Sequence, residues 1–319
     1  MRLVTYEPAV GCQRLGALVE GKVVDLALAR DACEAATHTD ILALPSDMMI
    51  FLELGNHAIK AAEQVVQWAN DMLKKAGKVT TTSGETISYD LDKVRLRAPV
   101  PRPSKILCMA VNHPIHCAER KIPMSETPII FMKPGIWPVV GPNDKLIPPP
   151  ATKGIIFEGE LGVVIGKRCH RVPKEKAYEV VAGYTCCNDM SARDLGIVRD
   201  VNKENHRLFP DWFRVKGFDT SLPMGPCLTL KDEIPDPHNL RLQLRVNGKT
   251  VQDAPTSEIN FKIPDIIEFA SNYVTLDPGD IISTGTYSGC NDPVNVGDLI
   301  ELEIENIGVL SNIVGKREG

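Results

Sequence analysis

The sequence predicts an α+β fold, a β-rich domain over 104–319 preceded by a small α/β domain over 1–77. Three observations predict it. Apolar runs of strand length dominate from residue 104 onward, one long amphipathic helix pattern covers 58–76, and alternating prolines separate the two. Pro99, Pro101 and Pro103 each fix φ and extend the residue before them, so 78–103 reads as a linker.

In chain order, Leu15–Val19 and Val23–Leu26 flank Glu20-Gly21-Lys22 and read as a hairpin. Ile59, Ala62, Val65, Val66, Ala69, Met72 and Leu73 recur at spacings of three and four, and Gly77 follows as a stop signal. After the linker, Ile106–Val111, Ile129–Met132 and Leu161–Gly166 are buried-type strands. Helix is sparse there, at Pro173–Val181 and at Ile263–Tyr273, where Pro264 suits a first turn. Leu299–Ile304 alternates with Glu301, Glu303 and Glu305, the period of a half-buried strand with a solvated acidic face.

Composition narrows the function classes. Lys and Arg number 36 against 41 Asp and Glu, a net charge of −5, which argues against a broad nucleic-acid-binding face. No stretch approaches the roughly 20 apolar residues of a membrane helix, and Met1–Pro8 lacks a signal-peptide apolar region. Nine cysteines with no CxxC pair fit free thiols in a reducing cytoplasm.

The chemistry concentrates in a few places. Glu158-Gly159-Glu160 precedes an apolar strand, so its carboxylates share one face. Two acids at the mouth of a buried strand call for a cation, and oxygen-only ligands suit Mg²⁺ or Mn²⁺. The same pattern on an edge strand would be a solvated face. Asp189 follows the apolar Val180–Tyr184 and supplies a third carboxylate, or else a helix N-cap. His116 and Glu119 lie three apart, a spacing that on a helix lets a carboxylate orient an imidazole base. A surface His–Glu pair has the same spacing. Lys216 lies among aromatics, as an anion clamp or a snorkelling side chain. Arg120 and Lys121 hint at an anionic substrate, although a solvated helix end explains them slightly better.

Taken together, Lys105–Glu119, Pro128–Pro134, Phe157–Leu161, Gly183–Asp194, Lys216–Thr220, Leu276–Asp280, Thr284–Gly289 and Gly297–Asn312 resemble, in order and spacing, the fumarylacetoacetate hydrolase family. The resemblance covers about 104–314. It implies a mixed β-roll, a homodimer, and Mg²⁺ or Mn²⁺ (with Ca²⁺ possible) on Glu158, Glu160 and Asp189. It also implies a His116–Glu119 dyad on a short lid helix, a substrate-side Lys216, and substrate contacts from Arg193, Thr286 and Thr220. The implied activity is hydrolysis of a C–C bond in a 1,3-diketo acid, an acylpyruvate or fumarylpyruvate-like compound. Decarboxylation of a 2-oxo acid, keto–enol isomerisation and hydration are the alternatives on the same site. Two positions depart from the family pattern: His113 stands where Tyr is frequent, and Tyr287 where Pro is usual.

Overall fold

The computed structural model describes residues 1–9, 11–81, 83–198 and 209–316. The N-terminal part runs β1 (Arg2–Glu7), β2 (Arg14–Val19), β3 (Lys22–Asp25), α1 (Leu26–Thr37), α2 (Met48–Leu54) and α3 (Asn56–Ala76). Strands β4 (Ser88–Asp90), β5 (Arg95–Leu96) and β6 (Ile106–Ala110) follow, then α4 (Pro114–Arg120) and β7 (Ile129–Lys133). Next come β8 (Val139–Val140), β9 (Lys145–Leu146), β10 (Gly159–Ile165), β11 (Val181–Asn188), β12 (Ile197–Val198) and β13 (Phe209–Pro210). The chain finishes with α5 (Trp212–Lys216), β14 (Leu222–Leu230), β15 (Arg241–Val246), β16 (Lys249–Pro255), α6 (Ile263–Tyr273), β17 (Ile281–Ser283), β18 (Leu299–Ile304) and β19 (Gly308–Val314).

A large mixed sheet runs β4-β3-β2-β1-β14-β11-β10-β17-β6-β7, with β5 beside β1 and β8 beside β14. A second sheet runs β16-β15-β18-β19-β9. The fold is α+β. Strand β1 pairs with β14, so the N-terminal hairpin extends the sheet that carries the later strands. Residues 78–103, expected as a linker, contribute β4 and β5, which pair with β3 and β1.

The local signals explain most elements. The β2–β3 turn places Glu20 and Gly21 at positive φ, the conformation a tight hairpin needs. Helix α3 buries Ala58, Ala62, Val65, Ala69 and Leu73 on one stripe and stops at Gly77, whose left-handed φ lets its N–H bond Leu73 O. The helix expected at Pro173–Val181 is a 3₁₀ turn over Lys174–Val180. Helices α1 and α2 carry no expectation from periodicity; Asp25 and Asp47 cap them. On β18, Glu301 and Glu303 face Arg245 of β15, which confirms the solvated acidic face.

Two apolar cores flank the large sheet. One joins α1–α3 to Ile106, Val164 and Leu228, and the other joins α6 and the second sheet to Leu161, Val163 and Leu302. Strand β10 is buried along its whole length between them. Gly159 is required there because a Cβ would meet Leu302 Cδ1 at 2.8 Å. Its side therefore packs against the second sheet, and its two glutamate neighbours turn the other way.

Candidate metal centre and active site

Glu158 and Glu160 flank Gly159 at the start of β10, and Asp189 directly follows β11, its neighbour in the sheet. The Asp189 N–H donates to Glu158 O at 2.8 Å, which locks the two strand ends together. One oxygen from each of the three buried carboxylates lies within 4.8 Å of the others. The three acids therefore converge as the sequence predicts.

Cations surround two of them. Glu158 accepts from Arg193 Nη2 at 2.6 Å, Ser191 Oγ at 2.9 Å and Lys216 Nζ at 2.5 Å. Lys216 Nζ also donates to Asp189 Oδ2 at 2.5 Å. Asp189 Oδ1 lies 2.7 Å from Lys133 Nζ, a charge contact without hydrogen-bond alignment. Burial pushes the Glu158 carboxyl up, but Lys216 and Arg193 outweigh it and hold the group near about 2. Burial pushes the Lys216 ammonium down, and Asp189 and Glu158 overrule it, holding it above its ordinary value.

Among the described residues no cation pairs with Glu160. It accepts from Ser283 Oγ at 2.6 Å and Gly285 N–H at 2.8 Å. Burial, then Asp189 and Glu158, push its carboxyl up to about 8. The centre is thus short of positive charge at Glu160. A hard divalent cation bound by all-oxygen ligands fits this donor set and supplies that charge.

Glu158 and Glu160 open onto a cleft of about 360 Å³ lined by His116, Arg120, Phe131, Arg193, Trp212 and Thr286, among others. Phe131 stacks on Trp212 with ring centroids 4.7 Å apart, and Lys216 Nζ lies 5.3 Å from the Phe131 centroid. Helix α4, expected to act as a lid, starts after His113 with Pro114 in its first turn. Its base is tied down by Asn112, whose amide bonds Thr284 O, Phe261 O and Phe261 N–H. Gly285, at φ 100°, is needed because a Cβ would meet Asn112 Cβ at 2.8 Å.

Four site residues stand differently from expectation. His116 and Glu119 share α4, but among the described residues no hydrogen bond joins them. Glu119 accepts from Asn291 Nδ2 at 2.5 Å and from Gly289 N–H at 3.3 Å, and His116 Nδ1 faces Cys290 Sγ at 3.7 Å. Burial lowers the His116 pKa, which favours the neutral imidazole. Lys216 lines the cleft, as a substrate-side lysine would, but has all three N–H groups directed at Glu158 and Asp189, the third to Asp189 O at 3.3 Å, so it is also a partner of the acids. Thr220, expected to touch substrate, does not line the cleft. Its hydroxyl accepts from Ile147 N–H at 2.8 Å and its φ is 65°, so it holds a turn. Arg193 and Thr286 do line the cleft, as expected.

Sequence reasoning missed Lys133 and Gln252. Lys133 is fully buried and donates to Lys216 O at 2.7 Å and Ser221 O at 2.9 Å. A lysine two residues after Phe131 in an apolar strand was the available signal. Buried Gln252 accepts from Gly159 N–H at 3.0 Å and donates to Thr286 Oγ1, Tyr287 O and Ser288 O at 3.0–3.1 Å. It fastens the strand of the acids to the turn that lines the cleft, and nothing in its local sequence announces this. The two departures from the family pattern touch each other: His113 and Tyr287 meet edge to face, with centroids 4.5 Å apart.

Residues 105–315 match the model of the fumarylacetoacetate (FAA) hydrolase C-terminal domain. The chain belongs to the fumarylacetoacetate hydrolase family. It is 36% identical over 326 residues to "Oxaloacetate tautomerase Fahd2a, mitochondrial" of Rattus norvegicus, covering 98% of this chain and 91% of that one. A solved maleylpyruvate hydrolase of Sphingobium sp. SYK-6, in complex with manganese(II) and pyruvate, is 30% identical with a TM-score of 0.70 over 100% of both chains. A 5-carboxymethyl-2-hydroxymuconate delta-isomerase of Mycobacterium smegmatis is 35% identical with a TM-score of 0.62, covering 73% of this chain and 86% of that one. Family members of tautomerase, hydrolase and isomerase type thus all resemble this chain, and a divalent-metal site accords with both the manganese complex and the acidic triad.

Proposed function

We propose that the protein interconverts keto and enol forms of an oxaloacetate-like 2-oxo acid, with Mg²⁺ or Mn²⁺ held by Glu158, Glu160 and Asp189. The observation that carries this reading is the imidazole of His116, its pKa lowered by burial, in the cleft that Glu158 and Glu160 line, while Glu119 is bonded elsewhere. A tautomerisation needs one base beside an activated keto acid. It needs no water held against a second carbonyl. The similarity to the rat tautomerase over nearly the whole chain supports the same reading.

When bound, the divalent ion supplies Lewis-acid polarisation of a 2-oxo acid's keto group. The chain's own residues do the rest. Lys216, Lys133 and Arg193 hold Asp189 and Glu158 in place, and Lys216 and Arg193 keep the Glu158 pKa low. His116 Nδ1 is turned to Cys290, which leaves Nε2 to take a proton from C3 of the acid. The C–H electron pair becomes the C2–C3 double bond, and the proton is returned to the oxygen of the enol. Phe131 and Trp212 wall the cleft with stacked rings and limit water at the reacting carbon.

C–C hydrolysis of an acylpyruvate or fumarylpyruvate-like acid is the second reading, supported by the full-length similarity to the maleylpyruvate hydrolase. It requires Glu119 to leave Asn291 and orient His116 toward a water. The deciding experiment follows oxaloacetate and acetylpyruvate by ultraviolet absorbance and NMR, with Mg²⁺ or Mn²⁺ and with EDTA. Metal-dependent enol–keto exchange without new products supports the first reading. Pyruvate plus acetate from acetylpyruvate supports the second, and pyruvate plus CO₂ from oxaloacetate moves the assignment to decarboxylation. A homodimer belongs to the same proposal: β7 is the outer strand of the large sheet and exposes Ile129 and Met132. Sedimentation of the purified protein tests it.

A further inference from the structure

We propose that Arg120 is a specificity-determining residue that selects acids carrying a second, distal carboxylate. The inference deepens the reading above, on which it rests, by naming the substrate class as 2-oxo dicarboxylates. Arg120 occupies the last turn of the lid helix and lines the same cleft as Glu158 and Glu160. Arg120 follows His116 by four residues on α4, one turn further on, and both line the cleft with Glu158 and Glu160. His116 therefore stands within electrostatic reach of both Arg120 and the acid cluster.

What distinguishes Arg120 from the deeper cations is the absence of a counter-charge. Arg193 and Lys216 are neutralised by Glu158 and Asp189. Its helix neighbour Glu119 and the cleft-lining Asp211 are engaged. Glu119 is held by Asn291 and Gly289, and Asp211, on the cleft wall, is held by Arg214 at 2.5 Å. Among the described residues no carboxylate pairs with Arg120. Lys121, the next residue, caps the helix and does not line the cleft.

A guanidinium at a cleft mouth with its fork unpaired is a site for a carboxylate, which it binds in bidentate fashion. A four-carbon 2-oxo dicarboxylate would place its 2-oxo acid end at the metal centre, C3 beside His116, and its far carboxylate at Arg120. The competing account is that Arg120 only complements the helix C-terminus. It predicts no discrimination between ligands.

The test uses two stable probes that differ in the distal carboxylate, L-malate and L-lactate, titrated calorimetrically into Mg²⁺-loaded full-length protein. Wild type is expected to bind malate more tightly than lactate. Arg120→Gln should reduce that preference by about tenfold to a hundredfold, the range for losing a charged hydrogen bond. Arg120→Lys should restore part of it. Equal weakening of both probes would assign Arg120 to lid structure and overturn the proposal, as would a wild type with no malate preference or an unchanged ratio in Arg120→Gln. The readout is binding, so loss of the ratio stands whether turnover proves to be tautomerisation or hydrolysis. An unchanged ratio in a protein that still tautomerises oxaloacetate removes only the role of Arg120.

Discussion

Replacing Lys216 with Met removes the ammonium that bridges Glu158 and Asp189 while keeping an unbranched chain of similar length. Breaking a buried ion pair by deleting one partner costs about 3–5 kcal/mol. The structure places this case at the lower end. Glu158 keeps Arg193 at 2.6 Å and Ser191 at 2.9 Å, and Asp189 keeps Lys133 at 2.7 Å. About 3 kcal/mol is therefore expected in EDTA. An unfolding entropy of roughly 2.1 cal/mol/K per residue over 319 residues turns this into a Tm drop of about 4–5 °C. A divalent ion supplies the missing charge and binds only the folded site, so with saturating Mn²⁺ the gap should shrink to less than half. Differential scanning calorimetry of both proteins in both conditions reads the effect. Equal drops in EDTA and Mn²⁺, or none in EDTA, would refute the idea that Lys216 and a cation serve the same carboxylates.

Three further outcomes are expected. The metal-free protein should lose stability as pH rises from about 4.5 through about 8. Over that window Glu160 stays protonated in the fold while the unfolded chain has released the proton. Mn²⁺ should flatten this decline, and Glu160→Gln should abolish it in EDTA while weakening Mn²⁺ binding at least about tenfold; a decline that survives in the variant assigns it to another group. His116→Gln should lower kcat by about 10²–10⁴ without changing Mn²⁺ affinity, and the acid limb of the wild-type profile should lie below the usual histidine pKa. Glu119→Gln should cost much less, and a loss equal to that of His116→Gln would show that the dyad forms during turnover. Gln252→Leu should cost about 1–3 kcal/mol in urea unfolding, because it strands the buried Gly159 N–H; an unchanged midpoint would deny Gln252 its fastening role.

The legible parts of this protein are those whose physics is local. Helix α3 could be read because its apolar stripe and Gly77 lie within one stretch of chain. The carboxylates at 158 and 160 could be paired because strand geometry alone puts alternate residues on one face. Helices α1 and α2 escaped notice because their burial depends on packing against α3 and the sheet. The linker reading of 78–103 rested on proline spacing, while pairing of β4 and β5 with strands far away in sequence gives that segment regular structure.

By itself, then, the sequence determined the α+β class, the family, and the oxygen-rich ligand set that a hard cation would require. Only the tertiary structure decided which charges meet. It brought Lys133 against Asp189, moved Glu119 from His116 to Asn291, took Thr220 out of the cleft, and left Arg120 in it with no carboxylate partner among the described residues. The physical reason is range. Periodicity and capping act over a few residues, whereas a buried ion pair depends on groups that the sheet order brings together from distant parts of the chain.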